Sequence, residues 1–307
     1  MEFIPLKGTD RFTSLAHRDV DVLARVASSL DRKAYEPSIS RGLAFTTPYL
    51  YSALRVAGDP FYVQCAEDNW NHLEDCRGIM VCVGQNTVHY KVIADQITER
   101  HIHPVLLPPE IRQYFVEGHC NVMVEQDHYL AESLVREAGY EGAYAISINQ
   151  ALSIIDMASA TLNHDDQWTD FLSSVIQALI AAEQYGFSRD TADRFPQTKV
   201  FGEGLKNAFR DAIRVGGNYA ELYEEFLAPL VPSRSLVNQI NNGTTGMLFT
   251  ETLGDIDNVR DLDAAPLDPL FESIMDRGNI RCGVRQNSRP GLEGFDMELC
   301  QALAVAM

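Results

Sequence analysis

The feature that most constrains the fold is an alternation of short apolar runs with amphipathic ones through the first half of the chain. Apolar residues recur at helical spacing in VHYKVIADQITER (88–100), which therefore predicts a helix. Runs rich in Val and Ile predict strands, at EFIPL (2–6), DVDVLARV (19–26), FYVQC (61–65), GIMVCV (78–83) and CNVMVEQD (120–127). Alternating strands and helices favour α/β layers with largely parallel sheets.

The second half of the chain is dominated by helical patterns. DDQWTDFLSSVIQALIAAEQYG (165–186) places its aromatic and aliphatic residues on one buried face, and further helices are predicted over 206–217, 219–230 and 268–278. The chain then closes on a strand, IRCGV (280–284), and an amphipathic helix (289–304). The coarse prediction is two α/β lobes with a helical region between them.

Length and charge narrow the class of protein. A chain of 307 residues can bury a sizeable core. The net charge of −18 repels polynucleotides and anionic lipid, and no basic stripe offsets it, so nucleic-acid binding is excluded. No run approaches the roughly 18 apolar residues of a membrane span, and the first residues lack the pattern of a signal peptide. The sequence thus predicts no membrane insertion.

The chain contains six cysteines and eight histidines. The cysteines form no CxxC pair and no zinc-finger spacing, so they indicate up to three disulfides, or buried free thiols if the protein is cytosolic. His101 and His103 form an HxH pair without a nearby carboxylate, which is typical of ordinary surface. The sequence predicts no metal, no cofactor and no catalytic residue.

Several blocks together resemble a known family. They are AFTTPYLYS, VCVGQNTVHYKVIADQI, EGHCNVMVEQD, the DDQW helix, RVGGNYAELYEEFL and SLVNQINNGTTGMLF. In this order they resemble the periplasmic solute-binding proteins of ABC transporters, type II, specifically the general L-amino-acid-binding branch. The resemblance covers nearly the whole chain.

The order of the blocks is rotated relative to that family. Family members begin with a strand, a Pro-Gly turn and a helix like residues 280–304, and then continue into a segment like EFIPLKGTDRFTSL. The chain is therefore predicted to be either a circular permutant or an out-of-phase unit of a tandem array. Both alternatives predict that Met1 and Met307 lie close together.

The resemblance implies a periplasmic-binding-protein-like α/β fold of type II, in permuted order. Its two lobes would each contain a mostly parallel sheet with flanking helices, and hinge strands would join them. Lobe 1 would comprise residues 1–57 and 161–307, including the family-start segment 266–307. Lobe 2 would comprise residues 58–160.

In lobe 1 the resemblance implies a site for the ligand's α-carboxylate. The family places small hydroxyl residues and then an arginine after the strand that matches DVDVLARV. Ser28, Ser29 and Arg32 fall closest to these positions, and Arg41 is a competing candidate. A planar guanidinium suits a two-pronged hydrogen bond to a carboxylate.

In lobe 2 the family has a Gly-Thr-Thr turn that opens a helix and binds ligand oxygen atoms. Asn86 and Thr87 match its first two positions, and Val88 has lost the third hydroxyl. The family's amine-binding aspartate falls on Gln126 in strict register, with Asp127 one residue late. A one-residue slip in a strand points a side chain to the other face unless a bulge re-aims it.

The resemblance also implies disulfides. Cys282 and Cys300 fall where relatives often carry a cysteine pair, and Cys82 and Cys120 match another, whereas Cys65 and Cys76 have no counterpart. Bonded cysteines would place the protein in the periplasm or outside the cell.

The leading hypothesis is a non-enzymatic solute-binding protein that captures a small, polar, amino-acid-like ligand in a cleft and closes by hinge motion. Its partners would be an ABC permease or neighbouring repeat modules. The alternative is a degenerate module with a structural or interaction role in an extracellular tandem array. A third class is an enzyme on the same fold, which would need a general acid such as Glu125 or Asp127.

Overall fold

A computed structural model describes residues 1–7, 10–69, 72–85, 87–106, 110–147, 151–230, 234, 236–241, 246–254, 267–285 and 290–307. Its strands are β1 (Glu2–Leu6), β2 (Val22–Ala27), β3 (Leu43–Phe45), β4 (Leu50–Gly58), β5 (Val81–Gly84), β6 (Ile102–Val105), β7 (Val122–Gln126), β8 (Ala145–Ile146), β9 (Ser153–Leu162) and β10 (Arg281–Arg285). Its α-helices are α1 (Arg11–Ala16), α2 (Leu30–Ala34), α3 (Pro60–Asp68), α4 (Val88–Ala94), α5 (Ile111–Val116), α6 (Glu132–Glu137), α7 (Asp166–Gln184), α8 (Ala208–Gly216), α9 (Tyr219–Leu222), α10 (Pro269–Arg277) and α11 (Pro290–Val305). This sequence of elements confirms the α/β class.

One predicted strand is wrong. FYVQC (61–65) lies inside α3, which begins at Pro60. The carboxylate of Asp59 accepts a hydrogen bond from the Phe61 amide at 2.9 Å and so caps the helix. Proline at the first helical position is already held at a helical φ, so the Asp59-Pro60 pair starts a helix rather than ending a strand.

The chain divides into two compact units. Unit 1 comprises Met1–Tyr51 and Asp156–Met307, and unit 2 comprises Ser52–Ile155. The boundaries fall inside β4 and β9, so two continuous strands connect the units. Unit 2 is thus a single stretch of chain, whereas unit 1 is assembled from two.

Unit 1 contains a sheet in which β10 lies between β1 and β2 and runs parallel to both. On the other side of β2, β9 runs antiparallel and also pairs with β3. The strand that comes late in the sequence is therefore central in this sheet. A buried apolar cluster of this unit is formed by α1, β2, β3, β9 and the segment before β2, with side chains from Phe12, Leu15, Val20, Leu23, Val26, Leu43, Ala160 and Leu162.

The helices of unit 1 pack through α7 and α11. Trp168 of α7 is fully buried, and its indole N–H donates to the Asp21 carbonyl at 3.1 Å. Gly216 of α8 lies against Ala302 of α11 so closely that an added Cβ would meet the Ala302 methyl at 2.8 Å. The small residue therefore sets the distance between these two helices.

Charged side chains also tie the late segment into unit 1. Asp21 is fully buried and accepts from the Arg281 guanidinium at 2.9 Å and from the Arg281 amide at 2.7 Å. Arg277 reaches the same carboxylate at 2.5 Å. These bonds satisfy a buried carboxylate and fix β10 beside β2.

Unit 2 contains the strand order β8, β4, β7, β5, β6. β5 runs parallel to β7 and β6, whereas β4 runs antiparallel to β7 and β8. The central strands are buried on both faces, since all five residues of β7 and all four of β5 are buried. Helices therefore cover both faces of this sheet.

The cysteines lie in three pairs at disulfide distance. They are Cys65 and Cys76, Cys82 and Cys120, and Cys282 and Cys300, with Cα atoms 5.8, 5.6 and 6.4 Å apart. Two of these pairs join the positions where the resemblance implied a bond. Unit 2 holds two of the three.

Candidate functional site

In unit 1 three parallel strands end at one edge of the sheet, as the pairing of β1, β10 and β2 requires. Ser28 and Ser29 follow β2 directly and lead into α2, which carries Arg32. Open α/β sheets place ligands outside the carboxyl ends of their strands. The structure thus brings the predicted residues Ser28, Ser29 and Arg32 to that edge.

The end of β2 is irregular. Arg25 has a φ of 47°, and the register of β2 with β9 shifts between Leu23 and Val26. A left-handed non-glycine residue inside a strand is a bulge that re-aims the chain. The Tyr49 hydroxyl accepts a hydrogen bond from the Arg25 amide at 2.7 Å and holds the bulge in place.

The bulged Arg25 is also one half of a buried ion pair. Its Nε lies 2.9 Å from one Asp296 carboxylate oxygen and 3.1 Å from the other, and both residues are buried. Burial raises the pKa of Asp296, whereas the Arg25 guanidinium acts to lower it. The pair joins β2 to α11 and so has a structural role, because it fixes the end of β2 that leads to Ser28 and Ser29.

The two predicted carboxylate-binding arginines differ in their surroundings. Arg32 donates to the Ala27 carbonyl at 3.0 Å and lies 3.3 Å from a Glu36 carboxylate oxygen. Arg41 is exposed, and no side-chain bond is seen for it among the described residues. Ser28 bonds through its hydroxyl to Asp156, and its amide donates to the Asp156 carbonyl at 3.0 Å. Arg32 is therefore held in place, whereas Arg41 is not.

A further arginine at this edge was not predicted as a site residue. Arg11 is the first residue of α1, which follows β1, and its guanidinium lies 4.6 Å from the centroid of the Phe12 ring. Arg32 lies 5.3 Å from the same ring. The proximity of Arg11 to Arg32 depends on tertiary packing around Phe12.

In unit 2, Thr87 follows β5 and caps α4. Its hydroxyl donates to the Gly84 carbonyl at 2.6 Å and accepts from the Tyr90 amide at 3.1 Å. The predicted residue Asn86 lies outside the described residues. β7 is the parallel neighbour of β5, so Thr87 and Gln126 follow strands that end at the same edge of this sheet.

Gln126 is buried at the end of β7, and its amide oxygen Oε1 is buried with no hydrogen-bond partner among the described residues. The preceding Glu125 lies 3.1 Å from the Nδ1 of His89 and accepts from the Gln126 amide at 2.9 Å. Burial alone would raise the pKa of Glu125, but His89, that amide and His128 together outweigh burial and hold the pKa below its usual value. Glu125 is thus an internally satisfied carboxylate.

Asp127 begins a short 3₁₀ turn, Asp127–Tyr129, so strand alternation does not set its direction. Its carboxylate accepts from the Ser52 hydroxyl at 3.0 Å and from the His128 amide at 2.8 Å. Burial would raise the pKa of Asp127, but His128, Ser52 and Arg55 together lower it. The Asp127 carboxylate, which lies one residue after the position of the family's aspartate, is thus already hydrogen-bonded to neighbouring residues.

Ser52, His128 and Asp127 are not arranged as a catalytic triad. The Ser52 hydroxyl lies 3.0 Å from the Nδ1 of His128 and 3.0 Å from the Asp127 carboxylate, so both partners converge on one oxygen. In a catalytic triad the histidine lies between serine and aspartate. Ser52 is also buried at 1% exposure, so this arrangement is suited to positioning rather than nucleophilic attack.

Within the described part of the chain, His, Cys, Asp and Glu form no group of three or more that could hold a metal ion. The described helices include none that is both long and apolar enough to cross a membrane. The groups present at the two sheet edges are hydrogen-bond donors, carboxylates and guanidiniums, which suit a small polar ligand.

Sequence comparison finds periplasmic amino-acid-binding proteins among the relatives of the chain. No family model matches the chain. The chain is 25% identical over 269 residues to the general L-amino-acid-binding periplasmic protein AapJ of Rhizobium johnstonii, covering 79% of this chain and 75% of that protein. It is 24% identical over 244 residues to the glutamate/glutamine/aspartate/asparagine-binding protein BztA of Rhodobacter capsulatus, covering 73% and 69%.

Among solved structures, the fold resembles a periplasmic binding protein of an ABC transporter from Brucella ovis, determined with glutathione bound. The TM-score is 0.63 at 22% identity, over 81% of this chain and 82% of that one. This likeness confirms the predicted periplasmic-binding-protein fold. The chain is thus similar in sequence to two periplasmic amino-acid-binding proteins, and similar in fold to a periplasmic binding protein of an ABC transporter.

Proposed function

We propose that the protein captures a small, polar, amino-acid-like solute for uptake by an ABC permease. The observation that carries the proposal is the placement of Ser28, Ser29 and Arg32 directly after β2 in a chain homologous to amino-acid-binding proteins. A guanidinium beside two hydroxyls at the carboxyl edge of a sheet suits a ligand carboxylate. In unit 2, Thr87 and Gln126 would provide further polar contacts.

The proposed mechanism is hinge closure around the solute. A ligand that contacts both units only in a closed state shifts the population toward that state, and a permease then recognises it. The two strands that connect the units, β4 and β9, are the segments in which such a hinge would lie. No chemical step is proposed, and the network around Ser52 supports a non-enzymatic role.

An extracytoplasmic location is part of the proposal. It is supported by periplasmic relatives and by six cysteines in three pairs at disulfide distance. A circularly permuted order is proposed as well, and the central position of β10 between β1 and β2 supports it. The alternative role in a tandem array finds no support among the relatives.

Calorimetric titration of the purified protein with the common L-amino acids and glutathione tests the proposal. We expect heat of binding with at least one of them and a smaller radius of gyration in small-angle scattering with the same compound. Neither heat nor compaction with any compound would contradict solute binding.

Two matched arginine variants locate the carboxylate site. Arg32→Gln is expected to weaken binding about ten- to hundredfold, because a hydrogen bond between charged groups is worth about 1.5–3 kcal/mol. Arg41→Gln removes the same charge from an exposed position and is expected to change affinity by less than about threefold. The reverse result would move the carboxylate site to Arg41.

A further inference from the structure

Arg11 forms no ion pair with a carboxylate among the described residues, unlike several of the arginines of unit 1. The Nε of Arg11 is buried and has no hydrogen-bond partner among the described residues. The carboxylate-paired arginines of this unit include Arg18, Arg25, Arg32, Arg234, Arg277 and Arg281. A buried cationic donor without a partner costs free energy that a bound anion would recover.

The positive charges nearest Arg11 increase the free-energy cost of burying its guanidinium. Burial first, and then the charges of Arg32, Arg285 and Arg25, lower the pKa of Arg11 to about 9, while the Glu36 carboxylate opposes this with a smaller effect. Arg11 is therefore protonated at neutral pH. The carboxylates in this region are already engaged, since Glu36 pairs with Arg32 and Asp296 pairs with Arg25. A local excess of positive charge therefore persists in a chain whose net charge is −18.

The positions of these arginines follow from the sheet. Arg285 ends β10, Arg11 follows β1, and Arg32 follows β2, so all three lie at the carboxyl edge of three neighbouring parallel strands. Arg11 and Arg32 both lie over the Phe12 ring. Arg11 thus borders the position proposed for the α-carboxylate, and it offers a second guanidinium beside the first.

We propose that Arg11 binds a second anionic group, so that the preferred solutes are amino-acid-like molecules with two or more anionic groups. This inference rests on the proposed solute-binding function. The shared chemistry is an oxyanion, either carboxylate or phosphate, because an arginine fork fits both. A neutral side chain on the solute would leave Arg11 without a partner.

The test is a calorimetric titration of the full chain with L-glutamate, L-aspartate, O-phospho-L-serine and the neutral L-glutamine and L-asparagine. We expect the wild-type protein to bind an acidic compound at least about tenfold more tightly than its neutral counterpart. Preference for glutamate or aspartate indicates a carboxylate, and preference for phosphoserine indicates a phosphate. Equal affinity for acidic and neutral compounds overturns this inference and leaves the proposed function intact.

Arg11→Gln is expected to reduce the affinity for the acidic compound about ten- to hundredfold and that for its neutral counterpart by less than about threefold. Arg11→Lys should recover part of the loss, because it keeps the charge. Arg194→Gln is the matched control, since Arg194 is an exposed arginine of the same unit. An equal loss for both compounds in Arg11→Gln would overturn the inference and indicate a structural role.

Thermal unfolding of each variant is measured beside the titrations. If Arg11→Gln does not fold, the inference is tested by the wild-type protein and Arg11→Lys. For each of them, the affinity for the acidic compound is compared with the affinity for its neutral counterpart. No binding of any compound by the wild-type protein would overturn the proposed function, and this inference with it.

Discussion

The two units differ in the charged groups that lie at the carboxyl ends of their parallel strands. Unit 1 has guanidiniums at this edge of its sheet, and the Nε of Arg11 has no hydrogen-bond partner among the described residues. Unit 2 places carboxylates at the end of β7 and satisfies them internally, with Glu125 facing His89 and Asp127 bonded to Ser52. The difference indicates that Arg11 of unit 1 can still bind an anion. The carboxylates of Glu125 and Asp127 in unit 2 already have partners and are less able to bind a cation.

This comparison bears on the solute. The family places an amine-binding aspartate where this chain has Gln126, and the neighbouring Asp127 is engaged by its own turn. Selectivity would therefore depend on the anionic groups of the ligand more than on its amine. Three changes would break or sharpen this view.

The largest effect is expected from Asp296→Asn. The substitution keeps the shape of the side chain but leaves the buried Arg25 guanidinium without its counter-charge. Breaking a buried ion pair by removing one partner costs about 3–5 kcal/mol in the free energy of unfolding. Urea denaturation followed by circular dichroism measures the loss.

Glu132→Gln is the comparison variant for this measurement. Glu132 pairs with Arg136 on the exposed face of α6, and such a pair contributes about 0.3–0.5 kcal/mol. If Asp296→Asn were as mild as this control, the arginines of unit 1 would not be balanced by specific carboxylates, and the contrast between the units would fail.

A smaller effect, dependent on pH, is expected from Glu125→Gln. The pKa of Glu125 is lower in the folded protein than its ordinary value of about 4.3, so its contribution to stability is fully present above that value. That contribution is lost as pH falls through the lower, folded pKa. The variant should therefore show a shallower loss of unfolding free energy between about pH 5 and pH 3.

Denaturation curves at several pH values measure that slope in the wild type and the variant. Asp127→Asn should also reduce the slope, because the pKa of Asp127 is lowered as well. Parallel profiles for wild type and both variants would mean that the carboxylates of unit 2 are not stabilised as the structure indicates.

The smallest effect is expected from Gln126→Asp. It restores a carboxylate at the position where the family binds the ligand amine, and the native amide oxygen there has no described partner. We expect a gain of about tenfold in affinity for α-amino acids, measured by calorimetry, relative to the same compounds without the amine. The nearby Glu125 opposes a second buried carboxylate, which limits the gain.

An unchanged preference for the amine in Gln126→Asp would show that another group already binds it. Gln126→Glu is the control, because it adds the same charge on a longer side chain. If both variants gained equally, charge alone rather than position would explain the effect.

The sequence predicted the elements whose signals are local. The helix beginning at DDQW corresponds to α7, because apolar residues recur along it at helical spacing over many turns. FYVQC is misassigned because a five-residue apolar run is ambiguous between strand and helix, and the Asp59 cap that decides between them lies outside the run. Local capping chemistry would have identified α3.

The candidate site was less accessible to sequence. Ser28, Ser29 and Arg32 were identified because they follow a predicted strand in a family-like block. Arg11 was missed because its significance lies in what surrounds it, namely Phe12, Arg32 and Arg285, and in a buried Nε that has no hydrogen-bond partner among the described residues. Neither property can be read from residue spacing. The turn at Asp127 likewise depends on Ser52, which is distant in the chain.

The central position of β10 has a consequence for the order of folding. Unit 2 is continuous in the chain and can acquire its sheet as soon as residues 52–155 are available. The sheet of unit 1 cannot close until residues 281–285 arrive to fill the gap between β1 and β2. Because contacts between distant segments form slowly, we expect β1 and β2 to stay exposed edges, dependent on chaperones, while unit 2 is already native.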